Sequence, residues 1–89
     1  MLTKQIEIIN KLGLHARASS KLVQTAIQFK AEIFIERNGR KANAKSIMSL
    51  MMLAATKGSQ VNLICDGSDE ELALQQVSEL FASRFGEAE

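Results

Sequence analysis

The chain has no tryptophan, tyrosine or proline, and only one cysteine and one histidine in 89 residues. A single cysteine, Cys65, permits neither an intrachain disulfide nor a Cys-based metal site, and it fits a reducing, cytosolic compartment. A formal net charge of +1 gives neither a basic footprint for nucleic acid nor an acidic tail. A nucleic-acid binder also wants aromatic side chains on its sheet, and only Phe34 qualifies. The longest unbroken apolar stretch, Leu50 to Ala55, is far too short to span a bilayer, and no charged-then-apolar leader opens the chain. The expectation is a soluble, cytoplasmic protein with no membrane insertion and no nucleic-acid partner. Nothing in the sequence calls for a metal or a cofactor.

What is present is apolar and regularly spaced. With 46% apolar residues, one modest core of Ile, Leu, Val, Met, Ala and Phe is possible, so residues 1–89 are expected to form one domain. Lys4 to Ile9 alternates, with Ile6 and Ile8 on one face, as a strand does. Ala16 to about Phe29 carries Ala18, Leu22, Ala26 and Phe29 at helical spacing. Ala31 to Arg37 alternates again through Ile33 and Ile35. Asn38-Gly39 marks a tight hairpin turn before a short strand, Arg40 to Ala44. Ser46 reads as the N-cap of a helix through Leu53, with Gly58 as its stop. Gln60 to Cys65 is a strand with Val61, Leu63 and Cys65 on one face. Ser68 to Glu71 has the form of a capping box for a last helix that bears Ala73, Val77, Leu80 and Phe81 and ends near Gly86. The order βαββαβα, with one apolar face per strand, predicts an α+β, open-faced two-layer sandwich with all helices on one face. Phe34 and Ile64 then fall on the wet face and are expected to pair across strands.

The lone histidine, His15, stands where a Gly-containing loop becomes a helix. The first helical turn has backbone N–H groups without partners, and the helix dipole adds partial positive charge. A phosphoryl group on the imidazole would lie against the N–H groups of Ala16 and Arg17, with the Arg17 guanidinium as counter-charge. His15 and Arg17 are thus the candidate catalytic pair for phosphoryl chemistry.

The run Gly13-Leu14-His15-Ala16-Arg17 resembles the HPr family, the phosphocarriers of the phosphoenolpyruvate-dependent phosphotransferase system. Lys45-Ser46-Ile47-Met48 resembles that family's regulatory serine site, and the element order fits over essentially the whole chain. The resemblance implies a four-stranded antiparallel sheet in order 1-4-2-3 with three helices on one face. It also implies that His15 takes phosphate on Nδ1 from phosphorylated enzyme I and passes it to an enzyme IIA domain. Ser46 would then be the site of HPr kinase/phosphorylase, in the branches that possess one. Family members usually have proline where this chain has Ala18, which bears on how rigidly the phosphate-binding turn is held.

Serine is also an ordinary helix cap, so a structural role for Ser46 and a phosphate on it are compatible. Leu14, Ile47, Met48 and Met51 are expected to form an exposed apolar landing patch for partners; Lys21, Arg40 and Lys45 form either a basic rim to it or scattered solubilising charge. The alternative is a purely regulatory binding module of the same fold, in nitrogen-type or catabolite signalling, with His15 idle. Acid-labile phosphate on His15 separates the two.

Overall fold

A computed structural model describes residues 1–88. The elements run β1 (Leu2–Glu7), α1 (Ala16–Ala26), β2 (Glu32–Arg37), β3 (Arg40–Asn43), α2 (Ile47–Met52), β4 (Gln60–Asp66) and α3 (Glu70–Ala82), followed by a single 3₁₀-type turn, Arg84–Gly86. The strands form one antiparallel sheet in order β1-β4-β2-β3. One sheet face is dry. Ile8, Ile33, Ile35, Ala42, Val61, Leu63 and Cys65 are buried there beneath Ala18, Leu22, Ala26, Leu50, Ala73, Val77 and Phe81 of the three helices. Ile6 and Leu80, expected in this core, are only half-buried at its margin. On the open face Phe34 stands opposite Ile64, and the Lys41 ammonium lies 4.9 Å from the Phe34 ring centre. The pair thus shields itself and borrows a cation.

Local chemistry explains the element ends. Asn38 and Gly39, with φ of 53° and 81°, make the left-handed hairpin turn that joins β2 to β3. Helix α1 stops at Ala26 rather than Phe29. Gln28 and Phe29 donate three residues back, to Thr25 and Ala26, so the last turn tightens and buries the Phe29 ring in the following bend. Strand β1 lies two residues earlier than the alternation predicts. Its ladder to β4 ends at Glu7, and Ile8 bonds instead to the Gly58–Ser59 turn. Gly58 therefore serves that turn and does not stop α2. The left-handed residue after α2 is Ala54, with φ of 54°.

The start of α3 departs from the expected capping box. Asp69, not Ser68, is the cap residue, and its carboxylate is taken up elsewhere. Its two oxygens accept from the backbone N–H groups of Lys30 and Ala31, each at 2.8 Å, fastening α3 to the entry of β2. Glu70 reaches back to the Gly67 N–H and pairs with the N-terminal ammonium at 3.2 Å. The Cys65 thiol is pushed up to about 11, first by burial and then by the negative charges of Glu70 and Asp69. It is chemically quiet.

The loop before α1 is pinned from both sides. Asn10, itself buried, donates from Nδ2 to the Gly13 carbonyl at 2.8 Å. The Leu14 N–H donates to the Ala55 carbonyl at 3.0 Å, and the Ser19 hydroxyl donates to the Leu14 carbonyl. Gly13 has φ of 64°, and a Cβ there would meet Thr56 Cα at 2.9 Å and overlap the Ala55 carbonyl oxygen.

Two outcomes are expected. Gly13→Ala forces a left-handed alanine, a cost of about 1–3 kcal/mol, and adds a backbone clash that cannot be relieved by a side-chain rotation. Its Tm should fall by about 5 °C or more, and an unchanged melt would show that the loop is not pinned at residue 55. Asp69 is held below the usual carboxylate range, chiefly by the Lys30 N–H, then by the N–H groups of Ala31 and Asp69 and the Lys45 charge, against a partial burial that pushes it up. A lowered folded pKa stabilises the fold above the unfolded value, and that contribution is lost as pH falls through the folded value. Asp69→Asn should therefore melt below wild type at neutral pH, with the gap closing in acid. A gap independent of pH would contradict the ionic role.

Candidate phosphoacceptor site

His15 is the N-cap of α1, with extended backbone (φ −78°, ψ −179°), and its side chain caps none of the helix N–H groups. The first intrahelical bond closes only at Ser19 N–H to the His15 carbonyl, 2.8 Å. The N–H groups of the first turn are thus left outside the helix ladder, with Ala16 and Arg17 both exposed. No acidic residue of α1 itself occupies this first turn. The imidazole is 24% exposed. Arg17 borders a shallow surface depression of about 370 Å³ with Lys11, Leu12, Glu87 and Ala88. Ala18, at the position where proline is usual in the resembling family, is fully buried inside α1. The helix begins at Ala16 without the ring.

One residue that the sequence reading did not single out enters the site. Glu87 brings its Oε2 to 2.5 Å from His15 Nε2, and its Oε1 accepts from Asn10 Nδ2 at 3.2 Å. Partial burial pushes the Glu87 carboxyl up, but the hydrogen bonds from His15 and Asn10, aided by the Arg17 charge, outweigh it. The group is held below the usual carboxylate range. No sequence motif marks this residue, because the contact joins positions 72 apart in the chain.

The predicted partner patch is corrected in one member. Leu14 is 4% exposed and belongs to the core; its N–H and carbonyl are both tied inward, so the side chain cannot face a partner. Ile47, Met48 and Met51 are exposed as expected, and Met52 and Leu12 are exposed with them. Ser46 is the N-cap of α2, its hydroxyl oxygen accepting from the Ser49 N–H at 3.3 Å. The expected basic rim does not form as drawn. Lys21 donates to the Phe85 carbonyl and Lys45 to the Phe29 carbonyl, so both ammonium groups are structural ties, while Arg40 is exposed beside the hairpin turn. Among the described residues, no group of three or more His, Cys, Asp or Glu side chains is arranged to hold a metal ion, and no helix is long and apolar enough to cross a membrane.

Comparison with known proteins gives this geometry a family. Residues 2–83 match the model of the PTS HPr component phosphorylation site. The chain is 55% identical, over 100% of both chains, to the phosphocarrier protein HPr of Neisseria meningitidis and, equally, to that of Cupriavidus necator. It is 44% identical to the HPr-like protein Crh of Bacillus subtilis, over 88% of this chain and 92% of that protein. The crystal structure of HPr-C-His from Thermoanaerobacter tengcongensis has the same fold, with a TM-score of 0.96 at 45% identity and full coverage of both chains. With its sheet order, its three helices and these relatives, the chain belongs to the HPr family of phosphotransferase-system phosphocarriers.

Proposed function

We propose that the chain works as one cytoplasmic relay domain in which His15 accepts a phosphoryl group from phosphorylated enzyme I and passes it to an enzyme IIA domain. The observation that carries this reading is His15 at the open N-terminus of α1, with Arg17 beside it. Neutral imidazole is the nucleophile. A phosphate on Nδ1, the ring nitrogen nearer the backbone, would be solvated by the N–H groups of Ala16 and Arg17 and by the Arg17 guanidinium. This stabilisation is shared and moderate, which suits a group that must leave again. In-line transfer needs mainly positioning and charge compensation, and the docked partner supplies the rest.

The exposed face of α2 supports docking. Met48 is 73% exposed, next to Ile47 and Met51, and α2 packs directly on α1. Methionine suits a surface that must fit several partners. Ser46 stands at the edge of this patch. In our reading it is the residue modified by HPr kinase/phosphorylase where that enzyme is present. Phosphate there adds about two negative charges at a helix end that tolerates an anion. A partner packing an apolar or acidic surface on the patch would have to desolvate or oppose that charge. The switch then acts on docking and not on folding. A purely regulatory module would use the same patch and leave His15 idle.

Incubation with phosphoenolpyruvate and enzyme I should give a single acid-labile phosphate, absent from a folded His15→Ala variant. Persistent labelling of that variant would refute the assignment, and no labelling of wild type would favour the regulatory module. Ser46→Asp, a partial mimic, should slow phosphoryl uptake while its Tm stays near that of wild type. An unchanged rate, or a loss of rate matched by unfolding, would reduce Ser46 to a helix cap.

A further inference from the structure

The strained end of the chain is aimed at the imidazole. After α3, three successive residues adopt left-handed backbone: Arg84 at φ 56°, Phe85 at 55° and Gly86 at 78°. Only the third is glycine, so the turn holds two side chains in a conformation they rarely adopt. The surroundings over-determine it. Phe85 is buried and meets Phe81 edge-to-face at 4.9 Å between ring centres. Its carbonyl accepts from the Lys21 ammonium. Gly86 N–H donates to the Ser83 carbonyl and Glu87 N–H to the Arg84 carbonyl. Such strain persists where a fixed geometry is being enforced, and the residue directly after the turn is Glu87, seated on His15 Nε2. The matched family segment ends at residue 83, so this turn lies beyond it.

We propose that Glu87 is a positioning residue of the phosphoacceptor: its carboxylate takes the Nε2–H of His15, keeps the lone pair on Nδ1, and neutralises the ring while it carries phosphate. The inference rests on His15 being the acceptor. An ionised carboxylate only accepts hydrogen bonds, so in the neutral imidazole a contact of Nε2 with Glu87 Oε2 calls for the proton on Nε2 and leaves the lone pair on Nδ1. Asn10 holds the other carboxylate oxygen and the Gly13 carbonyl, tying the carboxylate to the loop that starts α1. Glu87 is 14% exposed, so water screens the pair weakly.

The transfer balances around this contact. The Nδ1 lone pair forms the new N–P bond as the bond from phosphorus to the phosphorylated donor breaks, and that bonding pair leaves with the donor. The Nε2–H stays in place, so the ring passes from neutral to singly positive. Glu87 is already beside the nitrogen that shares this charge. When the phosphoryl group moves on, the N–P pair returns to Nδ1 and the ring is neutral again, with its tautomer unchanged.

The single histidine makes the test direct. With ring-¹⁵N histidine, above the imidazole titration, wild type should show an Nε2–H proton resonance protected from solvent exchange. Glu87→Ala should lose that protection and take up phosphate from enzyme I about tenfold more slowly or worse, the worth of one charge-assisted hydrogen bond. Glu87→Gln keeps an acceptor without the charge; it should retain the protected proton but remain slow. Equal Nε2–H protection in wild type and Glu87→Ala, or equal uptake rates for wild type and either variant, would overturn the proposal. If wild type itself takes up no phosphate, the acceptor reading fails instead, and the protection experiment still reports on the contact.

Discussion

Burial of Leu14 decides where helix α1 begins. Its side chain is in the core, its N–H is held by Ala55 and its carbonyl by Ser19. The next residue, His15, then leaves the core and is partly exposed. Since α1 presents Ala18, Leu22 and Ala26 inward, its phase is fixed as well, and His15 falls at the cap with Ala16 and Arg17 outward. The one-sided sheet supplies the reason: its single apolar face has to be covered, and the helices that cover it bring their ends to the rim. A reactive side chain at a rim, anchored by an apolar neighbour, is both rigid and approachable.

The electrostatics around His15 are asymmetric in a useful way. On the helix side stand backbone N–H dipoles and the Arg17 guanidinium, which favour an anion. On the other side stands the carboxylate of Glu87, which favours a cation. A phosphorylated imidazole carries both charges at once, negative on phosphate and positive on the protonated ring. In the proposed relay, groups already in place would match that dipole, so little reorganisation would be needed for the phosphoryl group to arrive. None of the compensating groups is so deeply buried that the phosphate would be trapped.

Much of the fold was legible because it is written in short-range patterns. Alternation at Ile33–Ile35 and Val61–Cys65, the Asn38-Gly39 turn and the Ser46 cap each depend on a few adjacent residues. The early end of α1 is local, in the tightened turn at Gln28 and Phe29; the other misses are long-range. Leu14 looks like any exposed loop leucine until residues 55 and 56 pack against Gly13. Asp69 abandons its expected neighbours because the backbone of Lys30 and Ala31 claims its carboxylate. Lys21 and Lys45 read as surface charge, yet each satisfies a carbonyl at the end of an element. At the site, His15, Ala16 and Arg17 were visible as a local motif. Asn10 and Glu87 were not, since left-handed Arg84 and Phe85 carry no sequence signal and the contact exists only in three dimensions.

The central claim is that the first turn of α1 receives a phosphate carried on the Nδ1 side of His15. Through-bond phosphorus–proton–nitrogen NMR on the phosphorylated, ¹⁵N-labelled protein tests it most directly. The account predicts phosphorus bonded to Nδ1, together with marked shifts of the Ala16 and Arg17 amide signals as their N–H groups take up phosphate oxygens. Phosphorus on Nε2, or amide signals at residues 16 and 17 that do not move, would contradict it.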